Sequence, residues 1–292
     1  MFDCGPLGDG GHGHYDVLSL ELAASGQPLI VDPGRYTYSE QGPNWRRYFK
    51  ATAAHNTVCV DGLDQTPYRR GKPKGAVATG RLMGRWSTAG LDLIGGEVHS
   101  PAYDAIHARW LIFVADEYWI IADRLTGTRE HRYDLRFHLA PSAWDRTRVV
   151  QDRDITVVSA PDVVLVLAPA REASLEPGWY APEYGLKVPI PVVSVAADGV
   201  SNAQFLTLVA PRPSHDVVPR LRIRQPATDT SAMILEIDGM GPHGADRDVV
   251  AWSPSPAWLD LGPRQCTARA AWLRQSASGE CLEFRVCESE RA

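Results

Sequence analysis

The sequence predicts an all-β protein: a large antiparallel β-sandwich of stacked, supersandwich-like sheets with one short helical turn. Three observations carry that reading. The apolar runs are short and many alternate apolar with polar residues, as half-buried strands do. Glycine and proline, 25 and 22 among 292 residues, interrupt the chain at close intervals. No segment sustains a helical period over several turns, and no repeat of fixed length is present.

In chain order, the glycine-rich "GDGGHGH" enters the apolar run "YDVLSLELAASG", and "QPLIVD" follows a turn at Gly26. Residues 45–54 are the one helical candidate. They give one or two turns opened by Pro43-Asn44, with Asn44 placed to cap the first turn. "NTVCVDG" and "LDLIGGEV" read as strands, and "ARWLIFVADEYWIIADRL" as a hairpin with residues 115–118 as its turn. "YDLRFHLAP", "DITVVSA", "DVVLVLAP", "PVVSVAA", "AQFLTLVAP", "SAMILEIDG", "DVVAW" and "CLEFRVC" continue the series as separate strands. Proline and charge cluster in "PRPSHDVVPR", residues 211–220. That cluster suggests a main sandwich domain over residues 1–210, which carries the histidine motif, and a terminal β unit over 211–292 that is either separate or continuous with it.

Composition narrows the function classes. Apolar residues at 44% and charged residues at 22% are those of a globular protein with a sizeable core. The net charge of −5, with acids and bases interspersed, offers no basic face for nucleic acid, and no apolar stretch is long enough for a membrane helix. Asp3 and Gly5 follow within the first five residues, with no charged leader or apolar run, so no signal peptide is expected in this chain. The five cysteines are scattered without a C-x-x-C pair, which argues against a zinc ribbon. Cys281 and Cys287 read as thiols on one strand.

The chemistry concentrates near the start. In an extended strand His12, His14 and Asp16 lie on one face, and the surrounding glycines let backbone or substrate approach closely. Asp32 ends the next apolar run. A three-residue turn around Ser25–Gln27 pairs it with Leu18 on the face of His14, whereas a two-residue turn flips it away. Even in the favourable register Asp32 stands about 13 Å along the ribbon from His14, so the chain must bend back at His14. His55 opens a further strand. His14, Asp32 and His55 form a plausible set of two imidazoles and one carboxylate, a donor set that suits Zn²⁺. A polar strand entry with hydrogen-bonded histidines is the plainer alternative. H-x-H-x-D followed by histidine marks metallo-β-lactamase-type hydrolases, but Val17 stands where that histidine would be. His99, His107, His131 and His138 read as structural or exposed, and His215 and His243 fall in loops.

"GGHGHYDVLSLELAASGQPLIVDPGRYTY" and then "NWRRYFKATAAHNTVCVDGLDQ" resemble the core signature of the heparinase II/III-like family of polysaccharide lyases. The match is dense from Gly8 to Gly75 and weaker as far as residue 145. The resemblance implies an N-terminal α/α toroid followed by a domain of stacked antiparallel sheets. It also implies β-elimination on uronic-acid polysaccharides and a periplasmic or secreted location. By position it assigns His12 to the catalytic site, His14, Asp32 and His55 to zinc, and Tyr36 to the cleft, with Tyr38 and Tyr48 close enough to compete. Arg46 and Arg47 suit sugar carboxylates. The chain begins where the sheet domain should begin, so the toroid is expected as a partner outside it, and the isolated chain is expected to be weak or inactive. The alternative function is a non-catalytic carbohydrate-binding or scaffold module. His12 is expected to transfer a proton or neutralise the carboxylate, and zinc to hold the glycine-rich loop in place.

Overall fold

The computed structural model of the chain describes residues 1–7, 11–69, 75–212, 218–224, 232–241 and 244–287. Strand makes up 62% of it and helix 5%, arranged as several antiparallel sheets with one short α-helix. A ten-stranded sheet forms the middle layer. Its spine is a pair of long strands, Tyr118–His138 and Leu186–Pro211, paired from Val192↔His138 to Val209↔Trp119. Register shifts between Ala197 and Asn202 divide that ladder in two. The first half of Tyr118–His138 pairs with Ile106–Val114, and the second half with the short strand Val58–Val60. Several runs that read as separate strands in the sequence are thus single strands with an irregularity inside them. The 106–138 hairpin turns over residues 115–117, with Tyr118 already paired to Val114. Ala115 and Asp116 both take positive φ there.

The apolar pattern explains the layering. Val163–Ala168, reading VVLVLA, is buried throughout. Leu165 and Leu167 enter one core with Leu20, Leu29, Ile30 and Val58. Val164 and Val166 enter another, with Leu235, Val250, Trp252 and Trp272. A strand covered on both faces needs no polar alternation. The second core joins the middle layer to a five-stranded sheet, in the order Arg220–Arg224, Met233–Met240, Asp246–Asp260, Gln265–Gln275 and Cys281–Cys287. Among the described residues none of these five strands pairs with the ten-stranded sheet, although the two sheets share a core. Cys281 and Cys287 are free thiols at the two ends of one strand. His215 and His243 lie outside the described residues.

The N-terminal segment departs from the sequence reading. Residues 12–19 form no strand, and the first ladder pairs Leu22–Ala24 with Gln27–Ile30. The turn between them has two residues, Ser25 and Gly26, both at positive φ, rather than three. A register shift between Leu22 and Ala23 then inserts one residue beside Pro28, which has no N–H to give a ladder. Pairing ends at Leu22↔Ile30, so hairpin register does not set the position of Asp32. Ile30 instead bridges Leu139, and the Val31 N–H donates to the His138 carbonyl.

Side chains hold the segment where a ladder does not. The fully buried Asn56 donates from Nδ2 to the carbonyls of Leu20 and Val31, both at 2.8 Å. Its Oδ1 accepts from the His138 N–H at 2.7 Å, and its N–H donates to Ser19 Oγ at 3.1 Å. Arg109, fully buried on Ile106–Val114, donates to the carbonyls of Leu18 and Asn56 while pairing with Asp123 through Nε at 2.6 Å. The His107 ring meets the same carboxylate at 2.6 Å. Leu18, at φ 68, turns its carbonyl toward that guanidinium. Asn56→Ala should therefore strand several buried backbone groups at once and destabilise the fold by about 3 kcal/mol or more, read from urea denaturation. A loss below about 1 kcal/mol would mean that the asparagine is not the tie between these segments.

Burial also sets an acid sensitivity. It pushes the His138 ring down to about 3 and lowers the ring of His107. Both are held neutral in the fold, while the unfolded chain protonates its histidines near pH 6.5. Their contribution is complete above that pH and is lost as pH falls toward the folded values. At pH 5 His138 alone should cost about 2 kcal/mol relative to pH 7.5. Urea midpoints at the two pH values measure this, and His138→Gln should flatten the difference.

Candidate metal and catalytic site

Three local structures converge where the ladders stop. Asp32 follows the last residue pinned to His138, and its Oδ1 accepts from the Gly34 N–H at 2.9 Å. Gly34, at φ +71, leaves no room for a side chain against the carbonyl of Ala181. His55 closes a 3₁₀ turn, Thr52–Ala54, that follows the helix Trp45–Lys50, and it directly precedes Asn56. Asn44 caps that helix by accepting from the Arg47 N–H, as its place in the sequence predicts. His14 sits on the irregular segment, just before Tyr15, whose N–H donates to the Lys50 carbonyl.

The ligand atoms of His14, Asp32 and His55 all lie within 4.8 Å of one another. The rings of His14 and His55 are 5.1 Å apart, and His55 Nδ1 stands 2.8 Å from Asp32 Oδ2. Asp16 lies 3.7 Å from the same nitrogen. Burial, and then the charge on His55, hold His14 down at about 3, so its ring is neutral and able to donate a lone pair. Burial opposes charge on His55 as well, but Asp32 and Asp16 outweigh it and push that ring up to about 9. Burial likewise opposes ionisation of Asp32, yet the neighbouring His55 holds its carboxyl at about 2. His55 Nε2 is buried without a hydrogen-bond partner. Two imidazoles and one ionised carboxylate around a single point, with a proton where a cation would neutralise the same carboxylates, fit a zinc-type donor set.

Beside this cluster the surface opens. His12 is exposed, with its Nδ1 3.1 Å from the Tyr38 hydroxyl and the two rings edge to face. Arg35, which the sequence reading did not single out, joins the two groups. It donates to the His12 carbonyl, stands 3.0 Å from His14 Nε2 and lies 4.7 Å over the Tyr38 ring. A guanidinium only donates, so that contact also favours the neutral form of His14. The signal available in sequence was its place between Gly34 and Tyr36, one turn past a candidate ligand. A cavity of about 280 Å³ borders His12, His14, Asp16 and Asp3.

The other candidates divide. Tyr36 makes its ring contacts with Trp45 and Phe49 at 6.2 and 5.9 Å, and the tyrosine within hydrogen-bond reach of His12 is Tyr38. Tyr48 is half-buried, and its hydroxyl accepts from the Trp179 N–H at 3.0 Å. Arg46 is paired with Glu40 at 2.7 Å, while Arg47 is exposed and stacks over Tyr68. Lys50 is buried beneath the site, 5.3 Å over the Tyr15 ring, and burial followed by Arg46 and Arg35 lowers its ammonium to about 8. His107, His131 and His138 are buried and hydrogen-bonded, and His99 is exposed beside Glu97.

Known proteins share this fold and its sequence pattern. A "Heparin-sulfate lyase" of Bacteroides stercoris is 25% identical over 225 residues, covering 72% of this chain and 31% of its own length. The crystal structure of heparan sulfate lyase HepC from Pedobacter heparinus superposes with a TM-score of 0.63 at 19% identity, over 78% of this chain and 35% of that one. A structure of heparinase III gives 0.65 at 16% identity, over 85% and 37%. The chain therefore spans about a third of the length of these relatives. The family described as "Heparinase II/III-like, C-terminal" matches residues 1–218, which is most of the chain. This chain belongs to the heparinase II/III-like C-terminal family.

Proposed function

We propose that the chain is the β-sheet part of a polysaccharide lyase, acting on uronic-acid polymers by β-elimination and holding zinc through His14, Asp32 and His55. The observation that carries this reading is the meeting of an exposed His12–Tyr38 pair with a three-ligand set in one corner of the fold. The lyases that match by sequence and structure support it, and a periplasmic or secreted location, where such polymers are met, belongs to the same proposal.

Elimination removes the proton α to the uronate carboxylate and expels the glycosidic oxygen, so it needs a base, a counter-charge for the carboxylate and an acid. His12 has one ring nitrogen against the Tyr38 hydroxyl, which leaves the other for the substrate. An imidazole nitrogen offers a lone pair and can carry a proton, so this pair can take up or return a proton at that atom. Arg47 on the open surface can meet a carboxylate bidentately, Arg35 adds positive charge at the same edge while held by the His12 carbonyl, and Arg46 is committed to Glu40. Tyr36, packed on Trp45, shapes the wall that carries Tyr38. Bound zinc would supply positive charge and a cross-link that fixes the glycine-rich segment. The remaining acid or base and the second cleft wall would come from the helical toroid expected in this family.

Two outcomes follow. Purified protein should carry about one zinc per chain, and His14→Ala, Asp32→Ala or His55→Ala should each lose it. Because His55 is protonated at neutral pH and His14 is not, binding at pH 7 should release about one proton. Calorimetry in buffers of different ionisation enthalpy reads that proton, and full zinc content in all three variants would end the assignment. Separately, the 292-residue chain alone should form little unsaturated uronate, followed by ultraviolet absorbance, on a panel of uronic-acid polymers. A missing acid or base costs about 10²–10⁴ in rate, and lost positioning costs more. Strong, His12-dependent product formation by this chain alone would show that the site is complete without a partner. Saccharide binding with no activity, even when the toroid is supplied, would favour a non-catalytic binding module.

A further inference from the structure

The hairpin formed by Ala173–Glu183 and Leu186–Pro211 ends in a two-residue tip, Tyr184 and Gly185. This tip is fastened to the segment that carries the site tyrosines. The Gly185 N–H donates to the Tyr36 carbonyl at 2.9 Å, and the Ala181 N–H to the Pro33 carbonyl at 2.8 Å. The Trp179 N–H donates to the Tyr48 hydroxyl at 3.0 Å. Lys187, on the returning strand, sits 3.3 Å from the ring centre of Trp179 and 4.3 Å from that of Trp45. Cation–π contacts at such distances hold a side chain without a counter-ion. Gly185 takes φ +83, which lets the tip turn back sharply over residues 36–38.

This anchoring leaves the aromatic rings of Tyr184 and Tyr38 in the open. Tyr184 is 64% exposed and Tyr38 is 44% exposed. Their rings stand 5.8 Å apart at 31°, and the Tyr184 hydroxyl meets the Tyr38 N–H at 3.4 Å. Tyr38 in turn touches His12. The result is a continuous strip from His12 through Tyr38 to Tyr184, held rigid by backbone hydrogen bonds on its inner side. A fixed, exposed aromatic face beside a reactive histidine suits the apolar C–H face of a sugar ring, and little side-chain entropy is left to lose on binding.

The geometry points to Tyr184 as a saccharide-stacking residue that sets the position of the sugar unit next to the one at His12. This inference rests on the polysaccharide reading of the site. Its role is positioning: the ring face holds the chain, while proton transfer stays at His12.

The test uses the 292-residue chain with two probes, a mannuronate hexasaccharide and a hexasaccharide of alternating glucuronate and N-acetylglucosamine, titrated by calorimetry. Tyr184→Leu should weaken binding of at least one probe about tenfold or more, and Tyr184→Phe, which keeps the ring, should stay within about twofold of wild type. Both variants should keep the wild-type melting temperature and zinc content, because Tyr184 touches no ligand of the metal set. Equal affinity for wild type and Tyr184→Leu overturns the role of Tyr184 and leaves the zinc and lyase reading standing. Binding of neither probe by wild type overturns it as well. A Tyr184→Phe variant as weak as Tyr184→Leu would assign the effect to the hydroxyl and overturn the stacking role. Loss of zinc in His14→Ala with tyrosine-dependent binding retained would separate the platform from the metal set.

Discussion

The site depends on one buried side chain, the amide of Asn56. Residues 15–20 and 31–34 carry or flank His14, Asp16, Asp32 and Arg35, yet beyond single bridges at Leu20 and Gly34 and scattered backbone bonds neither stretch lies in a strand ladder. Asn56 replaces the missing ladder by donating to Leu20 and Val31 and accepting from His138. His55 is its neighbour in sequence, so the asparagine that fastens the two flanking segments also fixes the third of the proposed ligands. Arg109 extends the tie inward by gripping the carbonyls of Leu18 and Asn56 from the ten-stranded sheet. An asparagine suits the task because its amide offers two donors and an acceptor in one plane, and here all three are used in a fully buried place.

Electrostatics then sort the two histidines. His14 and His55 have ring centres 5.1 Å apart, and like charges at that separation cannot both persist under burial. Asp32 and Asp16 lie on the side of His55, so the proton stays there and His14 is left neutral against Arg35. The proposed zinc would relieve this arrangement by meeting both rings as neutral donors and the carboxylate as an anion. His12 stands apart on the open side, where Tyr38 rather than a carboxylate is its neighbour. That separation suits a division of labour between a fixed cluster and an open histidine facing the surface.

The all-β class was legible because short apolar runs between turn residues have few other solutions. The meeting of His14, Asp32 and His55 was legible through their residue types and a family resemblance, although strand register is not what brings them together. Of the two turns the sequence allows, the structure has the two-residue one, and the Leu18–Asp32 pairing is absent because the ladder shifts register at Leu22/Ala23 and ends at Ile30. Nothing local in "YDVLSLEL" reveals that its backbone is satisfied by side chains from residues 52–65, since those partners are distant in sequence. For the same reason Arg35 and Tyr184 escaped notice. Arg35 lies three residues past Asp32 and Tyr184 lies 146 residues from the backbone it meets; only the fold brings Arg35 to His12 and Tyr184 to Tyr38.

Zinc K-edge absorption on the purified chain addresses the central claim most directly. Two imidazole nitrogens at about 2.0–2.1 Å, with the outer-shell scattering of ordered rings, and a carboxylate oxygen in the same shell are the expected result. The Asn56→Ala protein, once its ligands are no longer held together, should lose the imidazole outer-shell signal. A wild-type spectrum of oxygen ligands alone, or one unchanged by the Asn56 substitution, would contradict a metal centre organised by that asparagine.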